Sequence, residues 1–278
     1  LRVLEIDPSH EEALSSLHRI YDSLGQWEKM SEIVRKELQL ASSPEKKAQL
    51  LCTLGNVHLS RIEEQKALSC FQEAIGHFPD HVPSLLKLFD LSAQNEQWEQ
   101  AVEWASQALK HLKDLSAKVD LSLRMAEIYL CRLSMEEEAC TRYEEVLRIS
   151  PRELRSVEAL LALYTRRERW EKVEELLAIK IDLLPRPLEG EPSDTLADCY
   201  YLWGEAARHR GKKEEALGRY RTSFRWASRI ECLFALATLH EEREEWAESL
   251  EIFRKIQEIQ GPSVGEETLY ARSEERRV

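Results

Sequence analysis

Between residues 51 and 79 a small Gly55, a small Ala67, a bulky Phe71 and a closing Pro79 stand at intervals that recur along the chain. No other feature restricts the fold as much. Leu51, Leu54, Gly55 and His58 fall on one face of a helix, at the three-, four- and seven-residue steps of an amphipathic pattern. A second helix, opening near Glu63, turns Ala67, Phe71 and Ala74 inward. The small residues let two helices approach closely, and Phe71 fills the adjoining hole. Pro79 cannot continue the helix and ends the unit.

The pattern returns twice. Ser122, Met125, Ala126 and Tyr129 lead to Ala139, Tyr143 and Pro151, and Tyr200, Trp203, Gly204 and Ala207 lead to Ala216 and Tyr220, without a closing proline. Between these lie units of a sister type. Leu14, Leu17 and Tyr21 precede Trp27; Leu85, Leu88 and Ser92 precede Trp98; Val157, Leu160 and Tyr164 precede Trp170; Leu233, Leu236 and His240 precede Trp246. Each tryptophan follows the last residue of its first helix by six, and successive tryptophans are 71, 72 and 76 residues apart, twice a period near 36. The expectation is seven helical hairpins over residues 11–262, forming one domain. Residues 1–10 would be the end of a preceding repeat, and the polar stretch 263–278 a tail or capping helix. Ser43 before Pro44, and Ser193 or Asp194 after the RPLEGEPSDT insert, are expected helix caps.

These positions resemble the tetratricopeptide repeat, with a leucine, a small residue and a tyrosine in its first helix, then alanine, an aromatic and proline in its second. The resemblance covers roughly residues 1–262. Phe89 and Leu161 depart from it by replacing the small residue. It implies an all-α, right-handed α-solenoid, elongated, in which first helices line a concave groove and second helices form the outer wall. It also implies a protein-binding scaffold with no catalytic centre and no cofactor. The family's carboxylate clamp transfers only in part: Asn56 and Arg124 match, whereas Cys52, Lys87 and Asp120 stand where other clamp residues would be.

Charge narrows the partners. The chain carries 39 Lys+Arg against 51 Asp+Glu, a net charge of −12. That balance opposes general nucleic-acid binding, which rests on neutralising phosphates, and so opposes an RNA-binding helical repeat. No apolar run reaches the length of a membrane span. Six cysteines form no CxxC pair, which points to reduced thiols in a cytoplasmic setting rather than a metal or disulfide framework. His58 and His240 occupy the repeat's tyrosine site and are expected to pack. His77 and His81 straddle Pro79 without a fixed helical geometry for a metal. Glycine-rich phosphate loops, nucleophile elbows and HExxH motifs are absent from the sequence.

The expected partner is a protein or peptide, held in the groove. The same inward position on successive first helices reads Ser15, Cys52, Leu86, Leu123, Glu158, Tyr201 and Phe234. Leucines and aromatics there are candidate contacts, or else pack sideways on neighbouring first helices. Glu205 and Arg208 lie one and two turns beyond Tyr201 on its face. The candidate partner-binding set is therefore Leu86, Leu123, Tyr201, Glu205, Arg208 and Phe234. Residues 208–229 hold eight Lys/Arg against two Glu, and 231–258 hold three against eight Glu. The two segments are expected to pair with one another, or the basic one to draw an acidic partner. A regulatory arm of an enzyme whose catalytic domain lies outside this chain is the alternative reading.

Overall fold

The computed structural model describes Asp7, residues 10–185 and residues 191–260. Most of the expected preceding repeat-end, the tail after Pro262 and the first half of the RPLEGEPSDT insert fall outside those residues. Fourteen helices occur among the described residues, with no strand. The chain divides into two compact units, Leu1–Ile149 and Ser150–Val278.

The first unit holds four hairpins: α1 (Glu11–Ser23) with α2 (Trp27–Leu40), α3 (Pro44–Ser60) with α4 (Glu64–His77), α5 (Val82–Gln94) with α6 (Trp98–His111), and α7 (Leu115–Cys131) with α8 (Glu136–Ile149). The second holds three: α9 (Leu154–Arg166) with α10 (Trp170–Leu183), α11 (Asp194–His209) with α12 (Lys213–Trp226), and α13 (Ile230–Glu241) with α14 (Trp246–Gln260). Within each unit the main packing partners of a helix are its neighbours in sequence, and α3 also touches α5. This is the arrangement of an all-α repeat stack. Ser43 and Ser193 cap α3 and α11, their hydroxyls accepting from Lys46 N–H and Leu196 N–H.

The small-to-large rule holds at atomic distance. Gly55 lies so close to Phe71 that an added Cβ would sit 2.6 Å from its ring, and the same test at Gly204 gives 2.5 Å to Tyr220. Ala67, Phe71, Ala126, Tyr143, Ala216 and Tyr220 are all buried. Phe89 and Leu161, which replace the small residue elsewhere, are buried too. The four tryptophans each open a second helix, but their burial differs. Trp27, Trp98 and Trp170 are half-buried, whereas Trp246 is 53% exposed. Trp98 carries the Arg132 guanidinium 5.0 Å from its ring centre, and Trp170 stacks on His209 at 4.3 Å.

Every hairpin turn contains one left-handed residue, two positions before the second helix: Gly25, Ile62, Glu96, Ser134, Glu168, Gly211 and Glu244. In six of them the next amide donates back five residues, as Glu63 N–H does to His58 C=O at 2.9 Å, the bond of a Schellman ending. Two of these turns are also bound by side chains. His58 Nδ1 lies 2.7 Å from Glu63 Oε2, and His240 Nδ1 2.7 Å from Glu245 Oε2. The histidines at the tyrosine site are thus buried rings that hold the start of the next helix.

Those contacts hold the Glu63 and Glu245 carboxyls below the usual carboxylate range, each chiefly through its histidine. A carboxyl with a depressed folded pKa adds stability above its ordinary pKa and loses it as pH falls through the depressed one. Thermal unfolding followed from neutral pH downward should therefore lose midpoint temperature below the ordinary carboxylate range. The Glu63→Gln/Glu245→Gln variant should show a flatter profile; an unchanged profile would refute this origin.

Candidate functional site

The candidate residues on α11 and α13 come together in the second unit. Tyr201 and Phe234 are half-buried and pack against a core that includes Leu233, Leu236 and Phe253. The Tyr201 ring meets Tyr220 at 5.7 Å with a tilt of 49°, and Phe234 meets Phe253 edge-on at 6.3 Å. Glu205 is already engaged: the buried Tyr220 hydroxyl donates to its Oε1 at 2.6 Å. Burial and that carboxylate push the Tyr220 hydroxyl well above the usual tyrosine range, and burial followed by Glu205 raises Tyr201. Arg208 donates through Nε to Glu242 at 3.1 Å. The charged rim expected around Tyr201 thus serves first to join α11 to its neighbours, and the aromatic faces of Tyr201 and Phe234 are what remains partly open.

In the first unit the two leucines differ. Leu86 is half-buried against the Leu85–Phe89–Met125 cluster. Leu123 is only 4% exposed, which removes it from the candidate set: a side chain already covered by its own fold offers no surface to a partner. Cys52, at the equivalent position, is also buried, and burial pushes its thiol up. Of the residues at clamp positions, Lys87 and Arg124 line a cavity of about 350 Å³ with Leu59, Asp90 and Gln94. Arg124 is held there, pairing with Asp90 at 2.6 Å and lying 4.3 Å from the Phe89 ring centre. A second cavity, about 450 Å³, opens between α9, α10 and α11 among Leu161, Thr165, Lys180, Asp198 and Leu202. Lys180 at its edge pairs with Glu158 at 2.9 Å. Among the described residues no group of three His, Cys, Asp or Glu is placed to hold a metal ion, and no helix is long and apolar enough to cross a membrane.

The basic segment resolves into two sets. Arg208 and Lys213 pair with Glu242, Arg210 with Glu171 and Glu174, Lys212 with Glu174 and Glu215, and Arg229 with Asp194 and Asp198. Arg208 and Lys213 thus reach the acidic segment 231–258 as the charge alternation suggested, whereas Arg210 and Lys212 turn back to α10 and Arg229 to α11. Arg219, Arg221 and Arg225, on α12, make no ion pair with a described residue. Nothing in the sequence separates these three from the other five, because the distinction depends on which acidic residues the neighbouring hairpins bring near.

The hairpin geometry, the glycine–ring contacts and the turn at each tryptophan define a class: helical-hairpin repeat proteins. A family model described as the tetratricopeptide repeat matches residues 13–48, from α1 into α3. That match spans one repeat, and helical hairpins of the same kind continue from there through α14. The structure of Naa15/Naa10 bound to HypK-THB resembles it with a TM-score of 0.60 at 15% identity, covering 89% of this chain and 37% of that one. A tetratricopeptide repeat protein from Parabacteroides merdae aligns with a TM-score of 0.49 at 15% identity, over 95% of this chain and 98% of that chain. MamA from Desulfovibrio magneticus RS-1 aligns at 0.43 and 14% identity, over 65% and 96%. No curated protein matches by sequence.

Proposed function

We propose that this protein is a protein-interaction scaffold that holds a peptide or helix of its partner against the first helices of the second unit, at Tyr201 and Phe234. The observation that carries this reading is the pair of half-buried aromatic rings on α11 and α13, fixed from behind by Tyr220 and Phe253. Rings that are already ordered lose little freedom when a partner covers them, and aromatics in such settings are the residue types that dominate binding. Glu205 and Arg208 would then contribute through the fixed charge pattern around the rings. A cytoplasmic setting, in which six thiols stay reduced, suits the same reading.

The test is an affinity capture on the intact chain at physiological salt, followed by titration of the purified partner. Tyr201→Ala/Phe234→Ala is expected to weaken it by at least about 2 kcal/mol, while the helical circular dichroism signal and Leu123→Ala binding change little. Normal binding by the double variant would refute the site. A partner that proves to be an enzyme, stimulated by the intact chain, would favour the regulatory-arm reading.

A further inference from the structure

A different face of α11 carries a second feature. Tyr200 and Trp203, one helical turn apart, stack with ring centres 6.2 Å apart and planes within 10°. With Trp226 and Arg219 of α12, and Ile181 and Leu184 from the end of α10, they line a cavity of about 500 Å³. A second cavity of about 720 Å³ shares Tyr200 and Trp226 with the first and continues along α12 past Thr222 and Arg225. The two together form a track whose middle is aromatic. All three rings are half-buried, so each keeps part of its surface open to the track.

The charge around this track is what identifies the occupant. The chain is acidic overall, and five of the eight cations between residues 208 and 229 are neutralised by carboxylates. The three that pair with no described carboxylate all lie on α12 beside the cleft. Arg219 places its guanidinium 3.7 Å from the Trp203 ring centre, against the aromatic wall. Arg225 lines the second cavity, and Arg221 stands one turn before it on the same exposed helix face. Asp182, an acidic residue on the opposite wall, is held by Arg152 at 2.7 Å. Glu191, at the edge of the second cavity, has an interaction partner of its own. A row of guanidinium groups that no described carboxylate pairs with, next to an aromatic slot, complements a ligand that has carboxylates and an apolar ring.

We infer that the cleft formed by α10, α11 and α12 is a docking site for an acidic segment of a partner protein, seating an apolar ring among Tyr200, Trp203 and Trp226 with its carboxylates against Arg219, Arg221 and Arg225. This surface is separate from the Tyr201–Phe234 face and does not depend on it. A segment lying in an extended conformation would occupy both cavities, with alternate side chains entering the slot and facing the arginines.

The experiment is a selection of short random peptides displayed on phage against the intact chain, with binding of the enriched peptides then measured by fluorescence polarisation. The expected result is enrichment of Asp and Glu around an aromatic or proline residue, with affinity that falls as salt is raised. Arg221→Glu/Arg225→Glu alters only exposed side chains and should keep the wild-type melting temperature. It should weaken the enriched peptides by about tenfold or more, since like charges are then opposed. Tyr201→Ala/Phe234→Ala should leave these peptides bound, which separates this site from the other. The inference is overturned if the enriched peptides carry no acidic excess, or if they bind the charge-reversed double variant as well as wild type. Binding of single-stranded RNA or anionic vesicles at this cleft, with no acidic peptide enriched, would equally overturn it.

Discussion

Phe71→Ala is expected to cost about 3–5 kcal/mol, and in that background Gly55→Ala should change sign from destabilising to stabilising. Phe71 is fully buried, so its removal leaves a cavity between α3 and α4. In the intact protein, a methyl at residue 55 would meet the ring at 2.6–2.7 Å. A rigid ring cannot yield at that distance without moving a helix, and overpacking of this kind costs about 1–3 kcal/mol. Once the ring is gone, the same methyl enters empty space and the helix gains the roughly 1 kcal/mol by which alanine exceeds glycine. Urea unfolding, with hydrogen exchange across α3 and α4 to localise the loss, would measure the cycle. Equal effects of Gly55→Ala in both backgrounds would show that the glycine is not there for the ring. Gly204 and Tyr220 should behave alike, except that loss of Tyr220 also strips Glu205 of its hydroxyl donor.

The tryptophans should divide by burial and not by position in the repeat. Trp98 packs against the cluster containing Leu85, Ala101 and Met125 and is overlain by Arg132, so Trp98→Ala is expected to cost about 2–3 kcal/mol. That lies below the value for a fully enclosed ring because Trp98 is only half-buried. Trp246, with 53% of its surface exposed, should lose less than about 1 kcal/mol when replaced. In a repeat stack each loss falls on the hairpin concerned and its neighbours, so hydrogen exchange should show fraying around α6 in the first variant and little in the second. Equal losses would mean that the tryptophans act through the turn they begin and not through burial.

That contrast marks what the amino-acid order could convey. Gly55 with Phe71, and Gly204 with Tyr220, are complementary in size and one hairpin turn apart, so a contact between them is written in spacing and volume. Burial of an inward-facing residue is a different matter. Leu86 and Leu123 stand at the same place in successive first helices, yet one is half-open and the other covered. Helical periodicity gives the direction in which a side chain leaves its helix, not how close the next helix comes. The cleft at Tyr200, Trp203 and Trp226 escaped for the same reason. Tyr200 and Trp203 fit the apolar pattern of a first helix and read as core, and only the placement of α10 and α12 opens them. The segment 208–229 was legible as a basic block, but the separation of Arg219, Arg221 and Arg225 from their paired neighbours was not.

The left-handed residue in each hairpin turn bears on the order in which the chain would open. At Gly25 and Gly211 that backbone costs nothing in sterics, whereas Ile62, Glu96, Ser134, Glu168 and Glu244 carry a Cβ at φ between 54° and 62°, a penalty of roughly 1–2 kcal/mol per residue. Ile62 is the extreme case, β-branched and 93% exposed, so its side chain recovers nothing by packing. Because a turn of this kind belongs to one hairpin alone, its strain raises the free energy of that hairpin without touching any packed interface or binding face. The sequence of local openings is therefore adjustable from solvent-facing positions: glycine at one turn would move its hairpin toward the end of the queue, and a β-branched residue at Gly25 or Gly211 would bring that hairpin to the front.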